Sequence, residues 1–385
     1  MSEIGNLFLS NTFLNRLFLI NNSTYYLNYL IYKHSLALDA KIVLKMGLII
    51  EREISQPSEV KEDIALNTKT QRRVQQDTQE IKEIISGKDS NRKLLIIGPC
   101  SAWPSESVLE YAQKLSQVSK DVSDKLKIVL RCYTQKPRTT IGWTGPMNSP
   151  DPFGDEDIER GIRYCRTMMR DVAQNHELPL ADEALFTHNG GYFDDLLSYI
   201  AIGARSSEDH EHRVYASGLD VPVGMKNPTS GNLEVAINSI IAAQHPHRFK
   251  FNRNQVRTTG NEYAHLILRG GSDGPNYQQE NLRAAFEKMS KGQIINPAII
   301  IDASHANSRK IPLKQLDVLE EVLTYDPDVL RNVKGFMVES FLEEGNQNHT
   351  KYERVSDLVP GLSITDGCIG WDNTQRLMEN MYRKL

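Results

Sequence analysis

Eight short apolar runs, separated by helical patterns, restrict the folds open to this chain more than any other feature. They are LLIIG (94–98), KIVLR (127–131), PLADE (179–183), YIAIGA (199–204), VPVGMK (221–226), HLILR (265–269), AIIIDA (298–303) and GFMVES (335–340). Between them lie segments such as VLEYAQKL (108–115) and IERGIRYCRTMMRDVA (158–173), whose apolar residues recur at helical spacing. Strands that are apolar throughout, with no alternation, are covered on both faces, which is the condition of a parallel sheet wrapped by helices. Eight such units predict an α/β fold closed as a (β/α)8 TIM barrel with an N-terminal helical extension; an open doubly wound sheet is the alternative. RFKF (248–251) reads as a ninth strand in a minor insertion.

The residues at the exit of each run matter as much as the run. Cys100, Arg131, Glu183, Arg205, Lys226, Arg269, His305 and Glu339 all fall at or just past a strand's C-terminal end, and in a barrel those positions converge on one face. Singly, each has an ordinary explanation: a strand-end Arg in a surface ion pair, a buried Cys in the core, a hydrogen-bonded His. Eight of eight do not. The stretch PAIIIDASHANSRK (297–310) shows the change most sharply, since a strand leaving a barrel core for a catalytic mouth turns polar at once.

Two chemistries separate within this set. Cys100, His305 and Glu339, with Asp366 of SITDGCIGW, are ligand types for a borderline divalent metal. Arg131, Lys136, Arg138, Arg205, Lys226 and Arg269 would repel one another unless anions filled the space between them, and Arg grips carboxylate and phosphate in bidentate fashion. A substrate, or two, with several negative charges is implied.

The rest of the chain sets bounds. A net charge of -4 leaves no electrostatic footprint for nucleic acid or an anionic membrane. Four cysteines without a CxxC pair suit a reducing cytoplasm, and Cys132, Cys165 and Cys368 read as packing residues. Residues 1–45 differ in composition and read as an atypical extension, possible upstream sequence with Met46 as the start; Asn interrupts their apolar runs too often for a bilayer span. Residues 46–93 form an arm and a polar helix ending near Gly87, placed to plug the barrel or meet another subunit, and 94–385 form the barrel. The HPH of 245–247 and DHEH of 209–212 read as structural or solvated. SGKDS (86–90) and GGSDG (270–274) lack the P-loop pattern, although backbone amides of the second could help hold phosphate.

GPCS (98–101), KPRTT (136–140), GAR (203–205), LRGG (268–271), DASHANS (302–308), VESFLEEGNQ (338–347) and SITDGCIGW (363–371) together resemble the class I 3-deoxy-D-arabino-heptulosonate-7-phosphate (DAHP) synthases of the bacterial aromatic pathway, over residues 60–385. The resemblance implies a metal-dependent, aldol-like condensation of phosphoenolpyruvate with erythrose 4-phosphate, the first step of the shikimate pathway. It implies metal ligands Cys100, His305, Glu339 and Asp366, and one divalent ion: Mn, Fe, Co or Zn. Phosphoenolpyruvate would meet Arg131, Lys136, Arg205, Lys226 and Arg269, with Glu183 close by; erythrose 4-phosphate would meet Arg138 and Thr139. Lys136, Glu183 and His305 form the implied catalytic group. Lys136 is the expected proton donor or relay, because flanking cations such as Arg131 and Arg138 favour release of its proton. Asp302 would orient His305. A cytoplasmic homodimer or homotetramer is also implied.

The chain departs from that family in three places. FTHNGGY (186–192) stands where feedback-regulated relatives have a DMITPQY-like segment lining the inhibitor pocket, so inhibition by an aromatic amino acid is not implied. Residues 252–263 lack the usual Trp-Gly loop, and GPMNSPDPFG (145–154) is Pro-rich where relatives differ. Three rivals remain: an octulosonate-8-phosphate synthase, which would lack KPRTT; a Schiff-base aldolase using Lys226; and a barrel that has lost catalysis, which would lack a ligand.

Overall fold

The computed structural model describes residues 47, 49–137, 142–251 and 253–385. All eight apolar runs form strands of one closed barrel, and every pairing within it is parallel. In chain order the strands are β1 (Lys93–Gly98), β2 (Leu126–Arg131), β3 (Leu180–Ala184), β4 (Leu197–Ile202), β5 (Val223–Lys226), β6 (Arg248–Phe251), β7 (Asn254–Arg257), β8 (Ala264–Leu268), β9 (Ile299–Asp302) and β10 (Val333–Glu339). β1 closes the ring by pairing with both β2 and β10, while β6 and β7 make a separate antiparallel pair.

Side chains two apart on a strand face the same way, and this rule builds the site. One buried apolar cluster takes Leu94 and Ile96 from β1, Val129 from β2, Ala181 from β3, Tyr199 and Ala201 from β4, Ile267 from β8, Ile300 from β9 and Met337 from β10. Counting on by two from the last inward residue of β2, β3, β8, β9 and β10 gives Arg131, Glu183, Arg269, Asp302 and Glu339. The strands therefore carry apolar interior rows that end in charge.

The opposite end is closed by the helix Thr68–Ser86. Asn67 caps it by accepting from the Thr70 N–H, and Gly87 ends it with φ 77°. A left-handed residue there suits glycine. Ile81, Ile84 and Ile85 of this helix join the barrel cluster. Within the same region the Tyr199 hydroxyl meets His265 Nε2 at 2.9 Å, and His265 Nδ1 donates to the Tyr263 carbonyl at 2.8 Å. Burial holds the His265 imidazole down at about 4. Arg166, fully buried, ties the chain before this helix to the barrel through Ile64 O, Tyr192 O and both carboxylate oxygens of Asp195.

Several expectations change in detail. β4 begins two residues before YIAIGA, and RFKF has a partner, β7, which its polar, largely exposed sequence did not announce. The tempting histidines are structural: His245 and His247 bond the carbonyls of Ile241 and Ala242, and His212 bonds Asp209, the cap of the helix His210–Ser217. Cys132 and Cys165 are buried, with burial pushing both thiols up. Ser55–Leu385 is one compact unit; of the unit Met1–Ile54, the described residues 47 and 49–54 have no helix or strand, and the expected extension 1–45 lies outside the described residues. No helix among the described residues is long and apolar enough to cross a membrane.

Candidate active site and metal centre

A cavity of about 500 Å³ opens at the C-terminal end of the barrel. Ten of the residues singled out from sequence line it: Cys100, Arg131, Lys136, Glu183, Arg205, Lys226, Arg269, His305, Glu339 and Asp366. Arg138 and Thr139 lie outside the described residues. Tyr133, Gln135, Thr229, Lys310 and Thr365 also line the cavity and were missed. Lys310 belongs to the basic pair past the end of β9, a position that sequence could have offered; Tyr133, beside a buried cysteine, reads as core.

The charged groups at this end are wired to one another. Arg131 Nη2 donates to Glu339 Oε1 at 2.7 Å and to the Cys100 carbonyl at 3.3 Å, and Nε donates to the Pro99 carbonyl at 3.1 Å. Its Nη1 is buried without a hydrogen-bond partner, a costly state unless a ligand fills it. Lys226 Nζ stands 3.3 Å from Glu183 Oε2 and 3.4 Å from Asp302 Oδ2. Burial opposes ionisation of Glu183, but Lys226, Lys136 and Arg131 outweigh it and hold the carboxyl below its ordinary range. The same contest, won by His305 and Lys226, holds Asp302 well below its ordinary range. Lys226 is thus held between two carboxylates, a setting that does not favour it as an amine nucleophile. Gly203 leaves the space for Glu183: a Cβ there would stand 2.4 Å from Glu183 Oε1.

Cys100, Glu339 and Asp366 offer ligating atoms within 4.8 Å of one another. Ligand atoms bound to one ion at about 2.0–2.3 Å stand at most about 4.6 Å apart, so the three lie close to the spacing of a shared metal and reach it with a small contraction. Burial and then Glu339 push the Cys100 thiol up, against the pull of Lys136 and Arg131. A cation there would reverse that balance, since a coordinating thiol is deprotonated. His305, expected as a fourth ligand, lines the cavity but is not part of this tight cluster. Its ring is nonetheless prepared. Ser304 Oγ donates to Asp302 Oδ1 at 2.7 Å and lies 2.7 Å from His305 Nδ1, while Asp302 Oδ2 lies 3.0 Å from the same nitrogen. Those contacts favour a proton on Nδ1 and leave Nε2 for a ligand. His305 has φ 57°, a left-handed conformation that a non-glycine residue adopts at a cost and that re-aims the loop after β9.

Three asparagines lock the surrounding loops. Asn227 Oδ1 accepts from Arg269 N and from Asn276 Nδ2, and its Nδ2 donates to Gly270 O. Asn307 Oδ1 accepts from Asn276 N, and its Nδ2 donates to the Leu268 and Asp302 carbonyls. The ends of β5, β8 and β9 are therefore one hydrogen-bonded unit. This network also corrects the reading of GGSDG: the amides of Gly270, Gly271, Ser272 and Gly274 donate to Asn276 Oδ1, Gly274 O, Thr229 O and Gly271 O. They are used internally and are not set out as a phosphate nest.

Comparison with known proteins agrees with this geometry. The family model described as the DAHP synthetase I family matches residues 43–379. The chain is 39% identical over 341 residues to the Tyr-sensitive phospho-2-dehydro-3-deoxyheptonate aldolase of Escherichia coli K12, covering 87% of this chain and 94% of that protein. It is 41% identical over 307 residues to the Phe-sensitive enzyme of the same strain, covering 78% and 85%. The solved structure of phospho-2-dehydro-3-deoxyheptonate aldolase from Francisella tularensis SCHU S4 superposes with a TM-score of 0.81 at 34% identity, covering 87% of this chain and 97% of that one.

Proposed function

This chain belongs to the DAHP synthetase I family, and we propose that the cavity at the C-terminal end of its barrel performs the family's condensation with the residues described above. The enzyme is a 3-deoxy-7-phosphoheptulonate synthase: phosphoenolpyruvate, erythrose 4-phosphate and water give DAHP and phosphate, the first step of the shikimate pathway. The buried Arg131 Nη1 without a protein partner, in a cavity also lined by Lys136, Arg205, Lys226 and Arg269, carries the assignment of residues. It fits a substrate with phosphate and carboxylate charge and leaves a neutral sugar unexplained.

In this reading Arg131, Arg205, Lys226 and Arg269 grip phosphoenolpyruvate and set its C3 toward the aldehyde, an arrangement fixed before reaction and so needing no reorganisation during it. C3 bonds to the aldehyde carbon, water adds at C2, and phosphate leaves into the same cationic lining. Cys100, Glu339 and Asp366, with His305 through Nε2, would hold one divalent ion (Mn, Fe, Co or Zn); when bound, it polarises the aldehyde oxygen as a Lewis acid. Lys136 gives a proton to the developing alkoxide, and Glu183, kept ionised by Lys226, holds the lysines Lys226 and Lys136 toward the enol phosphate by charge attraction. Arg138 and Thr139 receive the phosphate of erythrose 4-phosphate. The enzyme works in the cytoplasm as a homodimer or homotetramer.

Phosphate release by chelator-stripped protein tests the reading, with phosphoenolpyruvate and either erythrose 4-phosphate or arabinose 5-phosphate, before and after Mn2+ is added. Release with the four-carbon sugar, restored by metal, is expected. Release with the five-carbon sugar alone would transfer the site to the octulosonate chemistry, and no release with either would overturn the reading.

A further inference from the structure

Tyr133 was not among the residues expected at the site, yet three of the site's cations gather on its ring. The Arg131 guanidinium carbon lies 3.7 Å from the ring centroid, Lys136 Nζ 5.3 Å and Lys226 Nζ 5.4 Å. The residue lies two beyond Arg131, lines the cavity, and is only 2% exposed. Its hydroxyl is directed elsewhere, 3.6 Å from Met337 Sδ in the barrel interior. The face of the ring, rather than its polar tip, is what the cations meet.

Arg131 and Lys226 are buried and Lys136 is half-buried, and the carboxylates paired with the first two, Glu339 on Arg131 and Glu183 with Asp302 on Lys226, offset only part of the repulsion among the three before an anion arrives. Those carboxylates act by neutralising charge, and any further one would compete with the incoming anion. An aromatic face attracts cations through its quadrupole and leaves their charge intact. We propose that Tyr133 is a positioning residue whose ring gathers Arg131, Lys136 and Lys226 into a single anion-receiving group. It touches no reacting atom; it acts through the three cations. With the function proposed above the anion is phosphoenolpyruvate, and the inference rests on that reading only for the ligand's identity.

The test replaces Tyr133 by phenylalanine and by phenylalanines with one, two and three ring fluorines, which weaken the quadrupole at nearly constant shape. Binding of phosphoenolpyruvate, without the second substrate, is measured by calorimetry on the metal-loaded protein, alongside inorganic phosphate. Y133F is expected to keep the wild-type affinity within about threefold, and affinity for both anions should then fall stepwise with fluorination, by about tenfold at three fluorines. The phosphoenolpyruvate KM should follow it, while the KM for erythrose 4-phosphate and the metal stoichiometry stay level. Y133L, if it folds, should lose more than the trifluoro variant. Affinity indifferent to fluorination, or a loss in Y133F equal to that in Y133L, would overturn the inference. Should wild-type protein fail to bind phosphoenolpyruvate, the functional reading fails, and the phosphate series still decides the role of the ring.

Discussion

At the N-terminal end of the barrel Tyr199 and His265 meet across 2.9 Å as neutral groups, and both imidazole nitrogens have a partner. At the C-terminal end, on inward rows of the same barrel, Arg131, Glu183, Lys226, Asp302 and Glu339 crowd together as charges. Among the described residues, Arg131 Nη1 is buried without a hydrogen-bond partner at this second end, where Asp302 Oδ2 is held only by its ion pairs with Lys226 and His305. An unpaired buried donor such as Arg131 Nη1 costs on the order of 1–3 kcal/mol. One end of the barrel satisfies its polar groups internally and contributes to stability. The other holds them partly unsatisfied, so that a bound anion or cation completes them. Preorganisation for a ligand and optimal stability are thus separated along the strand axis.

The comparison predicts that substitutions at the two ends fail differently. The largest effect is expected for Lys136→Ala, which should lower turnover by about 10³-fold or more while metal stoichiometry and melting temperature stay near wild type. Steady-state phosphate release and elemental analysis decide it, and retained turnover would remove Lys136 from the proton-transfer role.

At the other end the expected effect is on stability against acid. His265 stays neutral in the fold down to about 4, whereas the unfolded chain's imidazole has its ordinary value near 6.5. Its contribution is therefore fully present above about pH 6.5 and is lost as pH falls toward 4, because protons then favour the unfolded chain. The loss over that window amounts to about 3 kcal/mol. Urea midpoints at several pH values should show a stability slope shallower by up to about 1.4 kcal/mol per pH unit in H265Q than in wild type. Equal slopes would mean that His265 is not the group responsible.

The smallest effect sharpens the comparison at the border between the two regimes. Asn227 is buried and contacts no substrate in the reading above, but it fixes Arg269 and Gly270. Asn227→Ala should raise the phosphoenolpyruvate KM about tenfold through a looser Arg269, with a smaller change in kcat. A KM equal to wild type would show that Arg269 is held by other contacts.

Much of this was legible because a barrel strand is constrained twice. Its apolar run has to be continuous to bury both faces, and its last inward residue has to reach the cavity, so runs such as KIVLR and GFMVES mark both the strand and the site. Tyr133 was not legible, since an aromatic residue next to Cys132 looks like core and is buried like core; only three-dimensional distances show the cations around it. β7 was not legible because NQVR is largely exposed and exists as a strand through its pairing with β6. The Asn227–Asn276–Asn307 network joins residues from three separate loops, and no local pattern announces that. GGSDG misled for the opposite reason: its composition suggests free amides, but the turn itself, Asn276 and Thr229 consume them.

The two-residue phase of the strands also has a consequence for how such a chain can change over evolutionary time. Deleting a single residue within β10 would turn Glu339 from the cavity to the helix-facing side, and the same holds for Arg131 in β2. Point replacements within these strands leave that phase intact. Gains and losses of length that keep this phase are therefore those in segments outside the ring of eight, such as 145–154 and the β6–β7 hairpin, which lies apart from the barrel sheet. Drift in those segments can alter what the enzyme associates with or responds to, while the aim of every charged group in the mouth is inherited unchanged.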